Sequence, residues 1–186
     1  MHGVAIGCGI GESMPAIVST ERLIIRPFRL DDAGFIVNLL NQPSFIANIA
    51  DKQVRSLVDA ENYLLNGPLK SYQQHGFGLW LVALKQTEAP IGMCGILQRE
   101  ELPNADIGYA LLPEFCRQGY AFEAAQAVLH YAVQQLELAT ILAITKPTNA
   151  SSNKLLVKLG LELQGQLEIY GSANNLYEYQ QPSLPC

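Results

Sequence analysis

The turn at residues 115–121 carries residue types that suit a bound pyrophosphate. Gly119 has no Cβ to hold a ligand away from the backbone, Ala121 is small, and Arg117 adds a positive charge. The turn leads into an amphipathic segment, and the first N–H groups of a helix lack intrahelical partners and carry a partial positive charge. These features favour an anion at the turn. A purely structural turn can contain the same residues, so the turn alone does not decide between the two interpretations.

The elements that would hold this turn follow from hydrophobic spacing. Apolar side chains recur every three or four residues between Phe122 and Leu136, so a helix should follow the turn over about residues 120–136. Apolar runs predict seven strands, at residues 23–28, 79–84, 91–97, 107–112, 140–145, 161–170 and 176–179. The second and third of these should form an antiparallel hairpin.

Start and stop signals predict three further helices. The first follows the acidic pair at residues 31–32, and the second opens with a capping box at residues 56–59 and ends at residues 66–68, where the sequence is Asn-Gly-Pro. The third is expected to start with Ser151 or Ser152 as its cap. The chain therefore alternates between helical and strand segments throughout.

This order predicts an α/β (α+β) fold. A mixed, mostly antiparallel twisted sheet of about seven strands should be flanked by about four helices. The strand–helix–strand stretch at residues 107–145 should form a right-handed parallel crossover. The turn at Gly119 would then lie between a central strand and the crossover helix.

Composition predicts one compact domain. The 186 residues are 49% hydrophobic and 16% charged, enough apolar material for one core. Residues 1–19, with four glycines, are expected to be a flexible tail, and residues 20–186 a single domain. Translation from Met14 instead of Met1 is an open alternative. The start lacks the basic residues of a secretory signal, and its apolar run is too short to cross a membrane, so no membrane partner is expected.

Net charge and cysteine spacing limit the kinds of partner and bound metal that the sequence favours. The net charge of -5 disfavours non-specific nucleic-acid binding, which depends on many basic residues, and would attract a cationic amine. The four cysteines show no paired spacing, which favours reduced thiols over a zinc site or a disulfide framework. We therefore expect a cytoplasmic protein with no bound metal and no nucleic-acid partner.

Four segments in order resemble the GNAT superfamily of N-acetyltransferases, and most closely its branch of ribosomal-protein alanine N-acetyltransferases. They are the opening strand at residues 20–27 with Asp32, the Asp-Ile-Gly-Tyr-Ala-Leu strand at residues 106–111, the turn at residues 116–123, and the Asn-Ala-Ser-Ser start with its Lys-Leu-Gly-Leu-Glu ending at residues 149–162. The resemblance runs from about residue 20 to residue 179. It implies a GNAT-like fold and transfer of an acetyl group from acetyl-CoA to a primary amine by direct attack.

The resemblance also implies residues that hold acetyl-CoA. One set would pair its backbone with the pantetheine arm like an added strand: Tyr109, Ala110, Leu111 and Leu112. A second set would donate to the pyrophosphate: Arg117, Gln118, Gly119, Tyr120 and Ala121. Asn149 would hydrogen-bond the pantetheine amide, and Ser152 would lie near the sulfur. Cys116 and Arg117 depart from the residues common in relatives, but this loop would act mainly through its backbone.

Acetyl transfer to an amine requires a base, because an alkylamine has a pKa of ~10 and must lose a proton to attack. Asp106, at the start of the central strand, is the first candidate, reaching the amine through a water. Glu100 and Glu101 are alternatives, and Asp106 also fits the description of an exposed carboxylate at a strand start.

The leaving thiol has a pKa of about 8.5, so a hydroxyl group suffices to help it depart. Ser152 occupies the family position for this acid, although a role as helix cap fits it equally. Tyr170 and Tyr177 on the closing strands are alternative donors. Direct attack needs no covalent enzyme intermediate.

One departure keeps a second function open. Relatives often carry an acid at the position of Gln164, and an amide cannot accept the proton. The alternative is a catalytically inactive acyl-CoA-binding regulatory module, and a third possibility is a purely structural domain. The acceptor, a protein N-terminus or a small-molecule amine, is open, as is the choice between monomer and homodimer.

Overall fold

The computed structural model describes residues 16–180. Within them, eight strands form one sheet in the order β1-β2-β3-β4-β5-β6-β8-β7. They are β1 (Val18–Ser19), β2 (Leu23–Pro27), β3 (Leu79–Leu84), β4 (Pro90–Leu97), β5 (Asp106–Leu111), β6 (Thr140–Thr145), β7 (Glu162–Ile169) and β8 (Ser172–Gln180). Neighbouring strands are antiparallel except β5 and β6, which are parallel. The mixed, mostly antiparallel sheet is confirmed.

The sheet has eight strands instead of about seven because the chain pairs earlier than predicted. In β1, Val18 lies opposite Ile25 of β2. This edge strand falls inside the stretch that was assigned to a flexible tail, and it is only two residues long, too short to give a periodic signal. The remainder of that predicted tail, residues 1–15, and the question of Met1 or Met14 lie outside the described residues.

Five helical elements flank the sheet in the described part of the chain, one more than the approximate four that the sequence predicts. They are α1 (Ala33–Leu40), α2 (Pro43–Asn48), α3 (the consecutive segments Leu57–Leu64, Leu65–Leu69 and Lys70–His75), α4 (Tyr120–Gln134) and α5 (Ala150–Lys158). The short α2 begins with Pro43 at its first position, where the missing N–H has no intrahelical partner to lose.

Helix α3 begins as predicted but does not end as predicted. The N–H of Asp59 donates to Ser56 Oγ at 3.1 Å, and the N–H of Ser56 donates to Asp59 Oδ2 at 2.9 Å, which completes the capping box. The predicted break at residues 66–68 is wrong, because the chain continues through a π-helical turn that contains Pro68. A π turn accommodates a residue that lacks an N–H and crowds the preceding turn. The helix stops at Gly76, whose φ is +78°.

The two faces of the sheet are covered by different helices. On β3, Trp80 and Val82 belong to one apolar cluster, with residues of α4 and α5. Leu81 and Ala83 alternate with them and belong to a second cluster, with residues of α1 and α3. Because both faces are buried, β3 reads as a continuous apolar run without alternation of polar residues.

Strands β5 and β6 form the parallel unit that was predicted around α4. Within the described residues, their register consists of one pair, Asp106 opposite Leu142, whereas β4 and β5 share six pairs. The two strands therefore meet at their amino ends and diverge toward their carboxyl ends. A wedge between them leaves one edge of β5 without a strand partner beyond Asp106.

Candidate functional site

The wedge opens toward the loop that precedes α4. Gly119 is the N-cap of α4 with a φ of +84°, and Arg117 has a φ of +62°, which is uncommon for a residue other than glycine. No acceptor within residues 16–180 takes the N–H groups of Arg117, Gln118 or Gly119. The first-turn N–H groups of α4 add further unpaired donors. The loop thus presents several backbone donors and the positive end of a helix at one place.

An ion pair fastens this loop to the start of β2. Arg22 Nε donates to Glu123 Oε2 at 2.6 Å, and Arg22 Nη1 donates to the carbonyl oxygen of Gln118 at 3.1 Å. The guanidinium carbon lies 4.4 Å from the centroid of the Tyr120 ring. Thr20 Oγ1 also donates to Glu123, at 2.6 Å. These contacts hold a loop with two left-handed residues in one conformation.

The four residues predicted to pair with pantetheine lie at the end of β5 and directly after it, beside the wedge. Tyr109, Ala110 and Leu111 belong to the strand and are half-buried. Leu112 is buried, its N–H donates to the Ile91 oxygen at 2.9 Å, and its carbonyl accepts from the Phe115 N–H at 3.0 Å. Leu112 therefore has its backbone groups engaged within the protein. Ala110 lies opposite Met93 in the same antiparallel phase and its carbonyl oxygen lies against Gly92, so its backbone groups are also directed to β4. The backbone groups of Tyr109 and Leu111 are the ones that face the wedge.

The start of α5 lies across the wedge from β5. The cap is Asn149, not Ser151 or Ser152 as predicted: its Oδ1 accepts from the Ser152 N–H at 3.2 Å and from Ser151 Oγ at 3.0 Å. The Ser152 hydroxyl is therefore free of capping and lies 2.8 Å from the Tyr109 hydroxyl of β5. Burial raises the pKa of Tyr109 to about 12, so the phenol keeps its proton at neutral pH.

Asn153 fixes the start of α5 from behind. Its Oδ1 accepts from the Tyr177 hydroxyl at 2.7 Å and from Asn175 Nδ2 at 2.8 Å. Its Nδ2 donates to the carbonyl oxygens of Asn149 at 2.8 Å and Lys146 at 3.1 Å. The amide thereby joins α5 to β8 and to the end of β6, and Tyr177 is committed to this network.

Asp106 lies at the closed end of the wedge in an ion pair. Its side chain is 1% exposed, and Arg99 Nε donates to both carboxylate oxygens, at 2.8 and 3.0 Å. Burial raises the pKa of Asp106, and the charge of Arg99 opposes that rise. Asp106 is therefore not the exposed strand-start carboxylate that the sequence allowed.

Arg99 also brings the alternative candidates into the same cluster. Arg99 Nη1 donates to the Tyr170 hydroxyl at 3.1 Å, and that hydroxyl donates to Glu101 Oε2 at 3.2 Å. Tyr170, at the turn between β7 and β8, is thus joined to the loop after β4. Gln164 stands apart, exposed beside a register shift in β7.

The predicted residues therefore fall into three neighbouring groups: the α4 loop, the wedge edge of β5, and the start of α5, with Asp106 where the wedge closes. Sequence reasoning missed Arg22, Arg99 and Asn153, and it assigned Tyr109 only a backbone role. Arg22 contacts Glu123 across 101 positions of the chain, and no local pattern indicates such a contact. Asn153 follows the capping residues directly, but its partners on β8 depend on the sheet order.

Residues 22–162 match the family model described as an acetyltransferase (GNAT) domain. The chain belongs to the GNAT family of acetyltransferases, and it is an acyltransferase.

Relatives of known sequence and structure agree with this assignment. The uncharacterized N-acetyltransferase p20 of Bacillus licheniformis is 31% identical over 162 residues, which cover 83% of this chain and 86% of p20. The crystal structure of an acetyltransferase from Agrobacterium tumefaciens is 24% identical, with a TM-score of 0.77 over 93% of this chain and 98% of that one. RimL, a ribosomal L7/L12 α-N-protein acetyltransferase solved with coenzyme A, is 16% identical, with a TM-score of 0.76 over 89% and 98%.

Helices in the described part of the chain are too short or too polar to cross a membrane.

Proposed function

We propose that this acyltransferase moves an acetyl group from acetyl-CoA to a primary amine by direct attack of the amine. The observation that carries the proposal is the wedge between β5 and β6, because it leads directly into a loop of unpaired backbone donors at the start of α4. A ligand with an extended chain that ends in phosphates would fit this site, because the chain would lie in the wedge and the phosphates would meet the backbone donors of the loop. The fold shared with RimL, whose crystal structure contains coenzyme A, supports the same cosubstrate.

The residues of the wedge fit acetyl-CoA group by group. The free edge of β5, where the backbone groups of Tyr109 and Leu111 point into the wedge, would pair with the amides of pantetheine as a neighbouring strand would, whereas Ala110 between them is paired with β4. Asn149 uses Oδ1 for its cap, so its Nδ2 is left to donate to a pantetheine carbonyl. At the loop, a Cβ on Gly119 would lie 3.2 Å from Arg22 Nη2 and crowd the space above the donors, which glycine keeps clear for phosphate.

Acetyl-CoA supplies the acetyl thioester, and Ser152 is the residue that we assign to assist the departing sulfur: its hydroxyl group donates a hydrogen bond to the developing thiolate, which takes its proton from solvent. When the Tyr109 hydroxyl donates to Ser152 Oγ, the proton of Ser152 is left to point into the wedge. The raised pKa of Tyr109 keeps it a donor over the whole physiological range. Tyr109 then acts as a positioning residue that orients the hydroxyl of Ser152.

Asp106 is assigned to accept the amine proton through a bridging water. Its raised pKa gives it more affinity for a proton than an exposed carboxylate has, and it lies where the wedge closes. Glu101, whose carboxylate accepts from Tyr170, is the alternative base on the same side. In this assignment the amine, a peptide N-terminus or a small molecule, would approach the thioester from the side of the cluster around Arg99.

The first test is release of free thiol from acetyl-CoA in the presence of a panel of small amines and of peptides with free N-termini. We expect turnover with at least one class. Binding of acetyl-CoA, seen as a thermal shift, without thiol release from any member of the panel would favour the inactive regulatory module. Absence of any shift would contradict acetyl-CoA as the cosubstrate.

The second test assigns the residues. Ser152→Ala should lower kcat by about a hundredfold, since loss of one positioned donor to developing negative charge typically costs on that order. Tyr109→Phe should lower it by roughly tenfold, because the serine hydroxyl remains but loses its orientation. Ser151→Ala, one position away and exposed, is the matched control and should retain activity. Equal activity of the Ser152 and Ser151 variants would refute the role of Ser152, and equal losses in Asp106→Asn and Glu101→Gln would refute Asp106 as the base.

A further inference from the structure

A groove of about 1020 Å³ runs from the loop at Gly119 along the outer side of α4. One wall is formed by the chain that enters β2, and the other by the exposed face of α4 together with the end of α5. The side chains that matter for its chemistry are Thr20, Arg22, Phe122, Glu123, Gln126 and Lys158. The wedge and its catalytic residues do not use this groove.

Arg22 lies where the groove meets the loop, and its guanidinium group is only partly used. Nε is paired with Glu123 and Nη1 donates to the oxygen of Gln118. Nη2 has no hydrogen-bond partner within residues 16–180, and it lies 3.2 Å from the point that a Cβ on Gly119 would occupy. The unused nitrogen therefore borders the same space as the unpaired N–H groups of the loop.

The charges around this space are arranged for an anion in spite of the acid in the first turn of α4. The carboxylate of Glu123 accepts from Thr20 Oγ1, from the backbone N–H of Arg22 and from Arg22 Nε. These donors compensate its charge. On the opposite wall, Lys158 Nζ lies 4.3 Å from the centroid of the Phe122 ring, which places a second cation beside an aromatic face.

We propose that Arg22 is a phosphate ligand of the cofactor, with Nη2 binding a phosphate group at the adenosine 3′-phosphate 5′-diphosphate end of CoA and the nucleotide lying in the groove. The planar guanidinium group suits phosphate oxygens, and its other two nitrogens and the Tyr120 ring hold it in place before the ligand arrives. The inference rests on acetyl-CoA being the cosubstrate. It adds a ligand from β2, far in sequence from the loop.

The test measures binding directly and needs no acceptor amine. Isothermal titration compares CoA with dephospho-CoA, which lacks the 3′-phosphate, for the wild type, Arg22→Met and the double variant Arg22→Met/Glu123→Gln. Arg55→Met is the matched control, because Arg55 is, like Arg22, an exposed arginine paired with a carboxylate, in this case Asp51 in a different part of the fold. Circular dichroism of each variant verifies that it is folded.

The Arg22→Met variant should bind CoA about tenfold more weakly than the wild type, because it loses one charge-assisted phosphate contact. The Arg55→Met variant should bind CoA with the affinity of the wild type. A loss for CoA but not for dephospho-CoA assigns Arg22 to the 3′-phosphate, and equal losses for both assign it to the pyrophosphate. The salt dependence of the dissociation constant should also decrease in Arg22→Met.

The double variant separates direct binding from charge compensation. If Arg22 acts only by neutralising Glu123, removing both charges should restore the affinity, and that result would overturn the proposal. If the wild-type protein binds CoA and the Arg22→Met variant binds it with the same affinity, the proposal is overturned as well. The assignment of acetyl-CoA as the cosubstrate would then stand. Absence of CoA binding to the wild-type protein would instead refute the proposed function, and the inference with it.

Discussion

Replacing Arg99 by methionine leaves the carboxylate of Asp106 buried without its ion-pair partner. The Asp106 side chain is 1% exposed and receives Arg99 Nε at 2.8 Å, whereas the side chain of Arg99 is 26% exposed. Removing one partner of a buried pair costs about 3–5 kcal/mol. Because water partly screens Arg99, we expect the lower end, about 3 kcal/mol of unfolding free energy at neutral pH. Asp106→Asn should cost less, about 1–2 kcal/mol, since water can hydrate the unpaired Arg99.

The pH dependence gives the sharper test. Burial raises the pKa of Asp106 in the folded state and Arg99 opposes the rise, so without Arg99 the pKa rises further. A carboxyl group with a raised pKa stabilises the folded state at low pH, and that contribution is lost as the pH rises through the folded value. The deficit of Arg99→Met relative to the wild type should therefore grow as the pH increases above 3.8, the ordinary value for this group, and shrink on acidification.

Urea denaturation at several pH values between about pH 4 and pH 8 would measure the loss of unfolding free energy and its dependence on pH. The proteins compared are the wild type, the two single variants and the double variant Arg99→Met/Asp106→Asn. The double variant should be more stable at neutral pH than Arg99→Met, because no uncompensated charge is left in the core. Tyr170→Phe controls for the other contact of Arg99, at an exposed position, and should change stability by less than about 1 kcal/mol. A deficit of Arg99→Met that does not vary with pH would refute this reasoning.

Gly95→Ala should destabilise the fold by roughly 1–3 kcal/mol in chemical denaturation, because the new Cβ would overlap the carbonyl oxygen of Gly78 in a packed sheet. Gly67→Ala, where a Cβ meets nothing within 4 Å and the residue lies in a helix, should instead stabilise by about 0.5 kcal/mol, and the opposite order would refute the packing. With the two terminal cysteines replaced by serine, a thiol reagent should modify exposed Cys116 at once and buried Cys94 only on unfolding. Saturating acetyl-CoA should slow the reaction at Cys116, and unchanged labelling would count against binding at the loop.

Local signals predicted most of the helices and strands. The capping box at residues 56–59 and the apolar stripe of α4 each depend on neighbours within one or two turns, so the sequence contains all that determines them. The same reasoning failed at Pro68, where a π turn absorbs a residue that normally ends a helix. It also chose the wrong cap for α5, because Asn149 and the two serines after it are all good caps and only the backbone path decides among them.

The candidate site was predictable only where it coincides with such local signals. The residue types of the loop at Gly119 indicate a candidate anion site, and the left-handed φ of Gly119 agrees with the prediction of a tight glycine turn at this position. The direction of a side chain from a strand depends on the register with its neighbours, and the contacts of Tyr109, Arg22 and Asn153 join segments far apart in the chain. These contacts follow from the sheet order, which hydrophobic spacing does not specify.

Strand β5 separates the base that accepts the amine proton from the hydroxyl group that assists the departing sulfur in the proposed reaction. Asp106 and Tyr109 are three residues apart, and an odd separation on a strand places side chains on opposite faces. Accordingly, Ile107 and Tyr109 contact the cluster that contains α4 and α5, whereas Ala110 contacts the cluster that contains α1 and α3. A direct transfer requires this separation, since the amine must approach the thioester from one side while the sulfur leaves on another. A hydroxyl group on the face of β5 that carries Asp106 would lie beside the amine instead of the sulfur. A proton donor at that position would oppose the attack, because the amine must be unprotonated to react.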